Sequence, residues 1–145
     1  MSSPLFTSSP RQQSAGLAIV RVITGIVFVA HGYMKVFGMG VGNVQNFFTQ
    51  LGAPVPMLTA PFISYLEFLG GFALILGLLT RLVALGLVFD MIGAMMLVHL
   101  AKGFFLPQGY EFVLTLCLAL LALVVGGGGS FSVDSMLAGR RSSNR

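Results

Sequence analysis

Acid–base chemistry in this chain has to be done by very few residues. The histidines are His31 and His99, the acids Glu67, Asp90, Glu111 and Asp134, and the lysines Lys35 and Lys102. Most lie inside or at the ends of long apolar runs, where a charged side chain costs at least about 2.5–3.5 kcal/mol at mid-membrane. Histidine and carboxyl groups suit proton exchange in such places, because burial and neighbouring charge tune their protonation toward working pH. Glu67 and His31 are therefore the candidate catalytic groups, and Lys35, His99, Glu111 and Arg21 the candidate ligand-binding groups beside them. His31, His99, Glu67 and Glu111 suit a metal by ligand type, but no HxxxH-like spacing supports one and no metal is expected. Cys117 is the only cysteine, which excludes an internal disulfide and a CxxC redox pair. There is no nucleotide loop, haem or cluster motif, or nucleophile constellation. Any electron carrier has to be diffusible or belong to a partner.

The elements that position these residues are membrane helices. Of 145 residues 56% are hydrophobic and only 8% charged, with a mean hydropathy of +0.94. Soluble domains carry about 25% charged residues. Four apolar runs, 16–37, 62–80, 82–101 and 109–125, are each about 25–33 Å long as helices, close to the hydrocarbon thickness of about 30 Å. The expected fold is all-α, a four-helix transmembrane bundle. A soluble bundle would need polar outer faces, and 82–93 offers only Asp90. The net charge of +4 comes mainly from residues flanking the apolar runs, which implies topology and lipid contact and excludes nucleic acid as a partner. With the N-terminus inside, Arg11, Arg21, Arg81, Arg140, Arg141 and Arg145 collect on the cytoplasmic side against Lys35 and Lys102 outside. Both termini are thus expected in the cytoplasm. No small-residue cleavage site follows the first run, so no signal peptide is expected.

The first outer loop, 38–61, contains Val44, Phe47, Phe48 and Leu51 at helical spacing with polar residues between. This predicts a short amphipathic helix capped by Asn43, stopped by Gly52 and lying in the membrane interface. Pro61 suits the first turn of the next span. The second and third spans meet in a tight hairpin at Thr80-Arg81, and the glycine-rich stretch from Gly126 reads as a flexible exit.

Two stripes organise the first pair of spans. Arg21, Gly25, Phe28, Gly32 and Lys35 share one face, as do Glu67, Gly71, Leu74, Leu78 and Arg81, with Gly70 and Gly77 beside them. Cations and glycines on one stripe face partner helices, the glycines permitting close approach. With the helices antiparallel, Glu67 lies at the depth of His31, and Lys35, His99 and Glu111 one turn nearer the outer surface. Five ionisable groups from four helices therefore converge in the outer half. Glu67 has two readings, a structural ion pair with Lys35 or a proton relay. His99 and Glu111 are either part of the cluster or solvated at the interface; Lys102 reads as snorkelling to the headgroups. Phe104, Phe105 and Tyr110 read as an interfacial aromatic belt. Asp90, nine positions before His99, occupies the opposite face. With His99 placed inside, Asp90 turns toward Arg21 or a neighbouring protomer.

The order Arg21…Gly25…Phe28…Gly32…Lys35, Glu67-x-x-Gly70-Gly71-x-x-Leu74-x-x-Gly77-x-x-Thr80-Arg81, His99…Gly103-Phe104, Gly109-Tyr110-Glu111 and Ser132-Val133-Asp134, with the loop Phe48…Leu51-Gly52-Ala53-Pro54, resembles the DoxX family of small bacterial membrane proteins. The resemblance covers 16–134, leaving a polar cytoplasmic N-terminus, 1–15, and a basic flexible cytoplasmic tail, 135–145. Relatives often carry Gly-Pro-Gly before the terminal motif, where this chain has plain glycines. The resemblance implies a multi-pass protein of the bacterial cytoplasmic membrane. Family members serve in quinone-linked oxidoreductases and thiol-stress complexes or as assembly proteins, so the family name alone assigns no activity. Two expectations follow. In the first, the chain is a subunit of a quinone-linked oxidoreductase or redox-stress system, with Glu67 and His31 exchanging protons with a quinone from the lipid and the loop helix as its gate. In the second, it is a non-catalytic scaffold or chaperone-like protein for a partner enzyme. Membrane lipids, an oxidoreductase subunit and further copies of the chain are the expected partners.

Overall fold

The computed structural model describes residues 7–143, and the side chains of 7–139. Residues 1–6, Arg145 and the side chains of Arg140 and Arg141, which the orientation argument uses, lie outside the described residues. The chain is all-helical: α1 (Pro10–Tyr33), a π-helical stretch (Met34–Gly40), α2 (Val41–Gln50), α3 (Pro56–Leu76), α4 (Thr80–Ala94) with π-helical (Met95–His99) and 3-10 (Leu100–Lys102) continuations, α5 (Glu111–Gly126) and α6 (Val133–Ser143). Three helical stretches, Pro10–Gln50, Pro56–Leu76 and Thr80–Lys102, are long and apolar enough to cross a membrane. The fourth apolar helix, α5, has 16 residues, about 24 Å at 1.5 Å per residue.

Polar and apolar residues are distributed as a bilayer requires. Side chains facing outward include Ile19, Leu82, Phe89 and Val125, exposed by 66%, 67%, 67% and 79%. The interior buries Phe28, Leu74, Leu87, Leu120 and Leu123 together with Arg21, Thr24, Ser64, Glu67, Thr80 and Asp90. Water would not tolerate that outer surface; hydrocarbon does. The buried hydroxyls of Thr24 and Ser64 donate to the carbonyls of Val20 and Ala60, each at 2.7 Å, so they bring no orphaned donor into the core.

α1 begins before the apolar run. Pro10 takes the first turn, and Ser9 and Gln12 form a reciprocal capping box. α1 and α3 pack along the expected stripe. A Cβ at Gly25 would lie 2.7 Å from the Gly71 carbonyl oxygen, and one at Gly32 would run into the Phe68 backbone. Gly32→Val should therefore force the helices apart at a cost of at least about 1–3 kcal/mol, read as a lower melting temperature in detergent. Gly16→Ala, where nothing lies within 4 Å, should be neutral or stabilising.

Several local expectations are corrected. The hairpin breaks at Gly77 (φ 72°) and Leu79 (φ 49°), and Thr80-Arg81 instead open α4, because Gly77 adopts the left-handed cap that ends α3. Pro56, not Pro61, occupies the first turn of α3. The loop helix forms and ends at Gly52 (φ 70°), but Gly40 stands at its cap position and the Asn43 amide donates to the Met39 carbonyl. The exit after α5 is not free chain. Gly127 and Gly128 are buried, the Ser14 and Ser130 hydroxyls meet at 3.0 Å, and residues 133–143 are helical.

Candidate functional site

Three helices bring charged groups together inside the bundle, away from the end where Ser14 and Ser130 meet. Lys35 sits in the π-helical stretch that continues α1, and its Nζ donates to Glu67 Oε1 on α3 at 2.5 Å. The Glu67 side chain is almost sealed, whereas the Lys35 side chain keeps 21% exposure. Lys35 is therefore the member of the pair that solvent or a ligand can reach. α4 adds Asp90, itself buried, whose carboxyl interacts with Glu67 side chain to side chain and feels the charge of Lys35. One oxygen of each acid, Glu67 Oε2 and Asp90 Oδ2, is buried without a hydrogen-bond partner. Asp90 is thus the residue that replaces His99 inside. The α4 rotation that buries Ala84, Leu87, Val88 and Met91 carries Asp90 inward, and the π-helical stretch that follows resets the periodicity before His99. Arg21 cannot serve as its partner, since it lies at the other end of the bundle. The sequence did contain a signal for Asp90, as the one acid within an apolar span.

The remaining candidates make separate contacts. His31 is exposed on α1 and its ring lies 6.4 Å from that of Phe112 on α5; it makes neither a hydrogen bond nor an ion pair with Glu67. His99 Nδ1 bonds the Gln108 carbonyl oxygen at 2.8 Å, and Glu111 Oε1 accepts the Leu106 amide at 2.7 Å. Both fasten the loop between α4 and α5, where the Phe104 ring stands edge-on to Phe105 and Tyr110. Along the outward edge of α1 and α3 runs a ladder of four rings. Tyr33 to Phe37, Phe37 to Phe68 and Phe68 to Phe72 have centroids 5.2, 5.4 and 5.3 Å apart.

A second polar centre closes the opposite end. Arg21, 3% exposed, donates from Nη2 to the Phe131 carbonyl at 2.7 Å, with its guanidinium laid against Gly77. Asp134 accepts the Leu79 amide at 2.8 Å and the Thr80 amide at 2.9 Å, and its own amide donates to the Gly77 carbonyl at 2.9 Å. Asp134 thereby supplies the anion that the start of α4 needs. Burial alone would push this carboxyl up, but the Thr80 and Leu79 amides and the charge of Arg21 outweigh burial and hold it below the usual carboxylate range. Arg21 therefore belongs to a clasp between the C-terminal segment and helices α1, α3 and α4, and not to the outer group.

Comparison with known proteins bears on both centres. The family model described as DoxX matches residues 16–100, which include Lys35, Glu67 and Asp90 but not Asp134. The chain is 37% identical over 108 residues to a Bacillus subtilis (strain 168) protein named "Putative oxidoreductase CatD", covering 74% of this chain and 78% of that one. It is 30% identical over 135 residues to the "Uncharacterized membrane protein Rv3486" of Mycobacterium tuberculosis (strain ATCC 25618 / H37Rv), covering 83% and 80%. It is 30% identical over 129 residues to the "Inner membrane protein YqjF" of Escherichia coli (strain K12), covering 86% and 94%. No solved structure matches the chain.

Proposed function

The chain belongs to the DoxX family of membrane proteins, and on that premise we propose that it is the membrane subunit of a quinone-linked oxidoreductase or redox-stress system. Its location is a bacterial inner membrane with both termini in the cytoplasm, the orientation that places six arginines inside and two lysines outside. The observation that carries the reading is the juxtaposition of the Lys35–Glu67 pair with the aromatic ladder of Tyr33, Phe37, Phe68 and Phe72 on the same two helices. A quinone has a flat ring, carbonyl oxygens and an apolar tail. The partly exposed Lys35 ammonium fits the carbonyl as a hydrogen-bond donor, the rings fit the flat face, and the apolar outer faces of α1 and α3 fit the tail. A bound quinone would supply a two-electron, two-proton acceptor, its electrons coming from a partner oxidoreductase subunit. Lys35 would hold the carbonyl, and Glu67 would pass on one proton at a time, each drawn from solvent past Lys35; His31 lies apart from that step.

A second reading, a non-catalytic scaffold, has one observation in its favour, since a Lys35–Glu67 pair would lock α1 to α3 whether or not anything binds. The two separate in a titration of the purified, folded protein with a short-tailed quinone, followed by thermal unfolding. Binding to the folded state should raise the melting temperature with concentration, by about 2.7 kcal/mol of stabilisation at one hundred times Kd. His31→Ala should leave the shift unchanged. A folded protein that shows no shift supports the scaffold.

A further inference from the structure

We infer that Glu67 and Asp90 together form a proton-binding site that holds one exchangeable proton between two carboxyls, reached past Lys35. The first ground is the balance of charge. Two buried acids face one ammonium, so with both acids ionised the group carries an uncompensated negative charge in the bundle. An unpaired buried charge is strongly destabilising, and among the described residues no second cation pairs with either acid. Arg21 is at the other end, bonded to the Phe131 carbonyl. His99 is turned to Gln108, and His31 faces Phe112. α5 directs Val113, Leu116, Cys117 and Leu120 at the core, of which only the Cys117 thiol titrates, and its Glu111 is held by the Leu106 amide.

The second ground is hydrogen bonding. Glu67 Oε2 and Asp90 Oδ2 are buried and unpartnered, and orphaned buried polar atoms call for an explanation. A proton on either acid makes that carboxyl a donor for which the other acid is an acceptor. The neutral group is then one ammonium, one carboxylate and one carboxylic acid. The proton belongs to the pair and not to either residue. Loading forms one O–H bond and removes one negative charge; no electron moves. Lys35 is the accessible member and lies in a π-helical stretch, a local geometry frequent at functional sites. A purely structural ion pair needs one acid, and Asp90 is the acid that such a role leaves unexplained.

This inference needs no quinone, so a failed quinone titration would leave it standing. Its test is infrared spectroscopy of the full chain in lipid vesicles near neutral pH, reading the C=O stretch of a protonated carboxylic acid and its shift in heavy water. The wild type should show one such band. Asp90→Asn and Glu67→Gln should each abolish it, because either leaves one acid paired with Lys35, while Asp134→Asn should retain it. Circular dichroism checks that each variant is folded. No band in the folded wild type would overturn the inference. So would a band that survives Asp90→Asn, which would make the proton the property of Glu67 alone.

Discussion

Replacing Asp134 by alanine is expected to cost about 2–3 kcal/mol of stability, the range for losing hydrogen bonds to a charged group together with a helix cap. The carboxylate accepts both the Leu79 and Thr80 amides at the start of α4, and among the described residues no other side chain accepts them. Its loss also strips the nearby negative charge from Arg21, which is almost fully buried. Leu79, held at positive φ by these bonds, is then free to relax, and α4 should fray from its first turn. Asp134→Asn should lose less, since one amide acceptor survives. The pH dependence follows from the lowered titration of this group. Because the folded state binds the proton less readily than the unfolded chain, the stabilisation is full above about pH 4, the ordinary carboxylate range. It is lost as pH falls through the lower value of the folded state. Thermal melts in detergent from pH 7 downward should show this acid loss in the wild type and not in Asp134→Asn.

The parts of the molecule that repeat with the helix are legible in the sequence. Gly25 and Gly32 recur on one face of α1 with Arg21 and Lys35, and that face packs on α3 because only glycine permits the approach. The Lys35–Glu67 pair was legible as well, because opposite charges at similar depth on antiparallel helices leave few other partners. Depth, however, does not give direction. His31, His99 and Glu111 are expected at similar depths, yet each turns to a neighbour outside the group, Phe112, Gln108 and Leu106. Asp90 went the other way for the same reason. The two faces of α4 were known, but which faces inward depends on its packing against α3 and α5. The clasp left no local trace beyond the Ser132-Val133-Asp134 motif, whose partners the sequence does not indicate. Ser14 meets Ser130 across 116 positions, and Asp134 meets Leu79 across 55. From composition alone, a run of glycines reads as slack.

The outer group should separate into structural and binding roles when its charges are removed in turn. Lys35→Met leaves two buried acids without a cation and is expected to cost about 3–5 kcal/mol. Glu67→Gln should cost less, because Asp90 remains as a counterion for Lys35. The double variant removes the pair together, leaves Asp90 to hold a proton and stay neutral, and should recover much of the Lys35→Met loss, as coupled neighbours do in a mutant cycle. Recovered stability makes the double variant the right protein for the question of function, since it is folded yet lacks both the ammonium donor and the carboxyl beside it. The decisive measurement is the quinone titration of Lys35→Met/Glu67→Gln, followed by melting temperature. The proposed function predicts a melting temperature near that of the wild type without quinone and no rise when quinone is added. A rise equal to that of the wild type would contradict it and place the quinone away from Lys35 and Glu67.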